Sequence, residues 1–287
     1  MNATVRALLN LTKPRISLLF AVSGLAALVI EASTLHQPLH FWFITLAIFC
    51  VGGSANAFNQ YFEREIDAQM ERTAKKRPLP LSQLSPRVAL AFAVLLGILG
   101  NFMLWRWGTA LAVILGVLTI LYYSFYYTLW LKPRTPYNIV IGGAAGATGP
   151  LIAWAAVTGH LALMPFLLFL LIFFWTPPHF WALALFYKDD YTKVGYPMLP
   201  NVAGDAATRK QILLYSFTLL PIALGMCIEP AIGWIYGLGA SVLSITFLWL
   251  AYQLYRRADL KSARNLFAYS ILYLMLLLLF LIADGLI

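Results

Sequence analysis

Charge is scarce in this chain. Only 11% of its 287 residues are Asp, Glu, Lys or Arg, against about a quarter in soluble domains. So few charges exclude a solvated globular fold. Cysteine is nearly absent: Cys50 and Cys227 are the only two, and they form no CxxC pair. That excludes a disulfide framework or a thiolate metal site, and both are expected to be small packing residues. Histidine is also rare. His36 and His40 are four apart, but Pro38 between them argues against a helical metal pair, and neither they nor His160 is assigned a role. No Arg/Ser-rich transit segment precedes the first apolar run, and Ser23–Ser33 reads as part of an uncleaved span. No Walker loop and no nucleic-acid module is present, so no nucleic-acid partner is expected.

What the chain has instead is long apolar runs. Hydrophobic residues make up 61% of it, and the mean hydropathy is +0.78. Many runs approach the roughly 20 residues that cross a bilayer as a helix; a barrel would show alternating segments of about ten. The pattern predicts an all-α polytopic membrane protein, whose partner over most of its surface is the lipid bilayer. Nine spans are predicted, near residues 16–33, 42–62, 86–105, 109–130, 137–157, 162–187, 211–228, 231–254 and 266–284. No gap between them holds a soluble domain, so residues 1–287 are expected to be one membrane domain. With the N-terminus in the cytoplasm, every Lys and Arg except Arg106 falls on the inner side, the asymmetry that the positive-inside rule requires. Two inner loops, near 63–85 and 188–210, are long, and long ordered loops are usually functional.

The first loop opens on an acidic ladder. Asn59, Glu63 and Asp67 lie at i, i+4 and i+8, one face of a helix, and Glu71 continues the row. Two carboxylates about 6 Å apart repel by roughly 3 kcal/mol at an effective dielectric of 20, so positive charge is expected between them. Arg72, Lys75, Lys76 and Arg77 follow at once. Acids for a divalent cation beside bases for an anion point to a metal–diphosphate site; a solvated helix end is the plain alternative. The second loop supplies Asp189 and Asp190 between Lys188 and Lys193. If the loops face each other, four or five acids converge on one mouth, and Mg²⁺ favours one or two carboxylates plus phosphate oxygens. Otherwise Asp189-Asp190-Tyr191 merely caps a turn.

Tyr122, Tyr123, Tyr126 and Tyr127 form an aromatic belt with Trp130, and one or two of them could face a cavity and stabilise a cation. Lys132 and Arg134 could reach a phosphate, or be ordinary flanking charges. Pro177-Pro178 is expected to kink the sixth span. His179 follows directly; an intramembrane His is a functional candidate that can ligate iron, or a hydrogen-bonded structural residue. Gly142, Gly143, Gly146 and Gly149 read as close helix packing.

At these residues the chain resembles the UbiA superfamily of intramembrane prenyltransferases. Asn59-x-x-x-Glu63-x-x-x-Asp67 is similar to its first acidic motif. The string through Met70-Glu71-Arg72-Thr73 to Pro78 resembles the branch that prenylates heme. So do Thr12-Lys13-Pro14-Arg15, Leu131-Lys132 with Arg134-Thr135, Asn138 to Gly143, Thr176 to Trp181, and Asp189-Asp190-Tyr191 with Pro197 to Pro200. Two departures stand out: Glu63 replaces the superfamily's usual Asp, and Lys193 and Val194 stand where aromatic-acid prenyltransferases repeat Asp in the second motif.

The resemblance implies a nine-helix UbiA-like bundle with a central cavity in a bacterial cytoplasmic membrane, its active-site loops cytoplasmic. It implies Mg²⁺ as cofactor, farnesyl diphosphate as donor, and heme B as the acceptor substrate, converted to heme O for heme-copper oxidases. A downstream heme-modifying enzyme or oxidase assembly factor is the partner such a product implies. On this reading Asn59, Glu63, Asp67, Asp189 and Asp190 are catalytic, with Asn59, Glu63, Asp67 and Asp190 on the metal. Arg15, Arg72, Arg77, Lys132 and Lys193 bind diphosphate, and His179 contacts heme. A quinone-precursor or chlorophyll-type acceptor is the alternative within enzymes; an anion transporter is the alternative outside them.

Overall fold

The computed structural model describes residues 2–287. Among these, nine helices are long and apolar enough to cross a membrane: Pro14–Glu31, Pro38–Phe62, Pro86–Trp107, Ala110–Leu131, Asn138–Thr158, Leu163–Phe186, Gly204–Ile228, Trp234–Arg257 and Leu260–Asp284. They are called the first to ninth spans below, and the chain is an integral membrane protein. No strand occurs among the described residues. The surface is apolar, as lipid demands: Trp42, Leu95, Trp105 and Trp249 all lie exposed on the outside.

Helix starts follow local chemistry. Pro14, Pro38 and Pro86 each stand at the first turn, where the missing N–H costs nothing, and Ser85 caps the third span through Val88 N–H. The seventh and ninth spans begin earlier than hydropathy places them, at Gly204 and Leu260. Their first turns are polar, and helical propensity carries them beyond the apolar stretch; Asp259 caps the ninth through Ser262 N–H at 2.6 Å. The sixth span runs unbroken from Leu163 to Phe186, with Pro177 and Pro178 inside it. Its neighbours hold it on several sides, as lipid-embedded prolines require. Cys50 is buried, but Cys227 is exposed rather than packed.

The second, third and fourth spans pack in sequence, and the first lies between the second, fifth and ninth. The sixth touches the fifth, seventh and ninth. Small residues set the closest crossing. A Cβ built on Gly149 would stand 2.7 Å from the Phe20 carbonyl oxygen, so the fifth span meets the first through backbone. That crossing fixes the first span, and with it Lys13 at its entry.

Candidate active site

The acidic ladder is built at the end of the second span. That helix stops at Phe62, a short helix covers Arg64–Gln69, and Glu63 joins them. The turn is kept across the joint: Glu63 N–H donates to the Asn59 carbonyl at 3.0 Å, and Asp67 N–H to the Glu63 carbonyl. Asn59, Glu63 and Asp67 therefore share one face, and all three are buried. Glu71 does not continue the row. Met70 is extended, a new short helix runs Glu71–Ala74, and exposed Glu71 faces Lys193 at 3.5 Å.

Each buried acid of the ladder meets a cation. Lys132 pairs with Glu63, and Arg77 pairs with Asp67 while standing 3.5 Å from Glu63. Lys13 Nζ donates to Asn59 Oδ1 at 2.7 Å, and Thr128 Oγ1 accepts from Asn59 Nδ2 at 3.1 Å. Tyr196, from the second loop, points its hydroxyl at Glu63 at 3.4 Å, and the Lys132 ammonium lies 4.7 Å from the Tyr196 ring centre. Sequence reading named Arg77 and Lys132 but passed over Lys13, Thr128 and Tyr196. Lys13 sat in a quoted motif beside Arg15, yet it is Lys13 that turns inward. Its backbone has φ of 48° just before Pro14, and Arg15 is exposed.

An unusual winding delivers Lys132 and Thr128. The fourth span changes to a π-helix over Tyr122–Leu131. Lys132 N–H donates to the Tyr127 carbonyl at 2.9 Å, five residues back. From Tyr123 to Lys132 is nine residues, about two and a half turns of α-helix but roughly two turns of i→i+5 winding. Only the wider winding puts Tyr123, Tyr127, Thr128 and Lys132 on one side. Tyr123 and Tyr127 stack at 5.3 Å there, while exposed Tyr126 stacks on Trp130 in the belt. Removing the Thr128 hydroxyl as Thr128→Val should lower turnover by less than about tenfold, the worth of one hydrogen bond; steady-state kinetics measures it.

The second loop meets the first differently from the expected convergence of acids. Asp190 is buried, but its two carboxylate oxygens accept the backbone N–H groups of Glu71 at 3.1 Å and Arg72 at 3.0 Å. It thus clasps the short helix that precedes Arg77, and Thr73 in that helix donates to the Asp67 carbonyl at 2.8 Å. Each oxygen keeps a further lone pair, so the two amides orient the Asp190 carboxylate without exhausting it. Asp189 is exposed and outside the cluster. Among the described residues no three His, Cys, Asp or Glu side chains come together as a metal site. Arg72 also stands apart, its guanidinium against the rings of Tyr187 at 5.8 Å and Tyr191 at 5.9 Å.

The charges at the cluster set its chemistry. Burial pushes the Glu63 carboxyl up, but Lys132, Arg77 and Lys13 outweigh it and hold it at about 2. For Asp67, burial and the nearby Glu63 charge win over Arg77 and raise it. Asp67 is thus the acid least compensated by the protein's own cations. Lys13 is shifted well below the usual lysine value by burial and then by Arg77, with Lys132 adding to it. One acid short of cation beside one cation short of anion fits a divalent metal carried on a diphosphate. Asn59, Glu63 and Asp67 are the side chains on this face whose oxygens could hold such a metal.

Lys13 gives a further expected result. An arriving diphosphate stabilises its charged form and opposes that lowering, so any proton exchanged at Lys13 on binding should be an uptake. Binding should then weaken as pH rises. Calorimetric titration with a non-reactive farnesyl diphosphate analogue, in buffers of different ionisation heat, measures the uptake; Lys13→Met should abolish it.

The fold and this cluster define the class of protein. The UbiA prenyltransferase family profile matches residues 18–281, and the chain belongs to that family. Within it the chain is 46% identical to the protoheme IX farnesyltransferase of Novosphingobium aromaticivorans, over 96% of this chain and 92% of that protein. It is 44% identical to the protoheme IX farnesyltransferase of Acidiphilium cryptum, over 100% and 93%. The fold is similar to that of digeranylgeranylglyceryl phosphate synthase, with TM-score 0.80, 18% identity and 98% of both chains covered. It also resembles a UbiA homologue from Archaeoglobus fulgidus bound to DMAPP and Mg²⁺, with TM-score 0.70, 15% identity, and 95% of this chain and 99% of that one covered.

Proposed function

We propose that this protein transfers the farnesyl group of farnesyl diphosphate to a vinyl group of heme B, giving heme O. The observation that carries the donor half is the buried cluster of three cations and two carboxylates at one end of the bundle. Likeness to protoheme IX farnesyltransferases over nearly the whole length supports the acceptor. The family's other acceptors would use the same donor site. A transporter would hold its substrate near the midplane, whereas Lys13, Glu63 and Lys132 all stand at span ends.

The chain works as one membrane domain, with the N-terminus and both long loops on the cytoplasmic side, as the basic asymmetry supports. Asn59, Glu63 and Asp67 would hold Mg²⁺, which when bound would supply Lewis-acid neutralisation of the diphosphate. Lys132 and Arg77 turn from the carboxylates, and Lys13 from the Asn59 amide, to the phosphate oxygens and stabilise the charge that builds on the leaving group. The allylic C–O bond breaks and its electron pair leaves with the diphosphate. The Tyr123 and Tyr127 rings border the site and favour the farnesyl cation through their π faces. Apolar spans exclude water until the vinyl carbon forms the new C–C bond. Water then adds to the cation beside the porphyrin and gives up a proton, leaving the hydroxyethylfarnesyl group. A heme-modifying enzyme or an oxidase assembly factor receives the product.

Purified protein incubated with heme B, farnesyl diphosphate and Mg²⁺ should yield heme O on mass analysis of the extracted heme. Consumption of farnesyl diphosphate with heme unchanged would point to another acceptor. No consumption under any condition would sink the enzyme reading.

A further inference from the structure

His179 is held in a way that packing alone does not require. It lies on the sixth span, about nine-tenths buried, between the rings of Trp175 at 4.4 Å and Phe267 at 4.7 Å, with Phe180 edge-on at 5.1 Å. Its Nδ1 is 2.6 Å from the Ser270 hydroxyl of the ninth span. That hydroxyl has one hydrogen, and it donates it to the Phe267 carbonyl at 2.6 Å. Ser270 Oγ can therefore only accept from the imidazole, and Nδ1 carries the hydrogen. No carboxylate is among these neighbours, and a charge buried among rings is costly, so the ring is neutral and Nε2 keeps its lone pair. Nε2 has no hydrogen-bond partner, and it is not among the sealed, unsatisfied polar atoms. Trp175 Nε1 donates to the Ser270 carbonyl at 2.8 Å and locks the arrangement from the other side. A neutral imidazole with one nitrogen fixed by a hydrogen bond and the other free is how proteins present histidine to a metal.

The wall beside it leads to two cations. Phe267 contacts Phe186 at 5.7 Å, and Phe186 contacts Tyr187 at 5.0 Å. Arg264 lies over Phe186 at 5.8 Å, and Arg72 over Tyr187 at 5.8 Å. Arg72 Nε is buried with no partner, and neither guanidinium has an acid partner among the described residues. Seven residues separate His179 from Phe186, about 10 Å along a helix, the scale of a porphyrin from its centre to its carboxylates. The ninth span closes on the first near Gly285, which packs against Val29 and Ile30; His179 and Phe267 lie toward its opposite end.

We infer that the seam between the sixth and ninth spans is the porphyrin site, with His179 Nε2 as axial ligand to the iron and Arg264 and Arg72 pairing the propionates. Ser270 is a positioning residue that sets the imidazole tautomer. This rests on heme as acceptor and adds where it binds and how. Arg72 then serves the acceptor, consistent with its separation from the ladder.

Absorbance titrations with heme B and with metal-free protoporphyrin IX, on the full-length protein in detergent, test it. His179→Gln should lose the shift of the main heme band and weaken heme binding at least tenfold, yet leave protoporphyrin affinity unchanged. Ser270→Ala should move the band and weaken heme severalfold. Arg264→Gln should weaken both porphyrins alike. Binding of a farnesyl diphosphate analogue should survive in all three. A wild-type heme spectrum and affinity in His179→Gln, or an equal loss of both porphyrins, overturns the inference and makes His179 a packing residue. Those outcomes, in a wild-type protein that still makes heme O, would leave the proposed function standing. Wild-type protein that makes no heme O would sink that function instead.

Discussion

Asp67→Ala is expected to lower farnesyl transfer by roughly a thousandfold, the upper range for losing one group that stabilises transition-state charge. Burial and the Glu63 charge raise the Asp67 carboxyl despite its pairing with Arg77, so its loss removes one of the two ladder charges that favour a divalent ion. It also leaves Arg77, largely buried beside it, facing Glu63 alone at 3.5 Å. Breaking a buried pair from one side typically costs about 3–5 kcal/mol, so part of the loss could be instability. Asp67→Asn separates the two effects: it keeps the volume and a hydrogen-bond acceptor. Its thermal midpoint should stay near wild type while turnover falls nearly as far and the Mg²⁺ requirement rises. Wild-type turnover of Asp67→Asn at limiting Mg²⁺ would reduce the ladder to a structural charge pair. Glu63→Asp, which keeps the charge and shortens the reach, should retain partial activity.

Lys132→Met should cost roughly a hundredfold and change the pH profile as well as the rate. Lys132 is the largest of the cations that hold Glu63 at about 2. Methionine keeps the length of the stem and its contact with Tyr196 but removes the charge. Burial then dominates, and the Glu63 carboxyl moves up. The sign follows: Glu63 works ionised, so activity is lost as pH falls through its pKa, and the variant's acid limb should appear at higher pH than the wild type's. The wild-type carboxylate's contribution to stability is fully present above the unfolded value of about 4.3 and is lost as pH falls toward 2; in the variant, where burial dominates, that contribution is absent and acid no longer removes it. Rates measured from pH 5 to 8 decide it. An unshifted acid limb with near-normal turnover would mean that Lys132 is a flanking charge.

Much of the architecture was legible because lipid imposes a simple code. Helix number follows from apolar length and punctuation, and nine spans stand among the described residues. Errors fell where that code is silent, at polar helix starts such as Gly204 and Leu260. The ladder was legible to Asp67 because i, i+4 spacing survives the joint at Glu63. It failed at Glu71, where extended Met70 breaks the register. Lys13 was overlooked because its direction depends on a left-handed backbone that hydropathy does not encode. What the π winding hid is Tyr123, which α-helical spacing puts on the opposite side from Lys132; Thr128, four residues before Lys132, shares its face in an α-helix too, but a lone Thr in an aromatic belt carries no signal. The amide partners of Asp190 were not legible, because they come from a helix of four residues that no periodicity reveals.

The charge cluster also constrains how the protein is made. Glu63 and Asp67 leave the ribosome well before Lys132, which is 69 residues behind Glu63, and Tyr196 comes 133 residues after it. Until the fourth span arrives, Glu63 has only Lys13 and Arg77 for company, and a buried carboxylate without its main counter-ion is unstable. The growing chain must therefore keep this end of the second span in water, at the membrane face, while the spans accumulate. Burial of the acids becomes a late assembly step that draws the two loops inward together. A chain stopped before Lys132 should sit in the membrane with residues 63–77 open to protease, and the full chain should protect them.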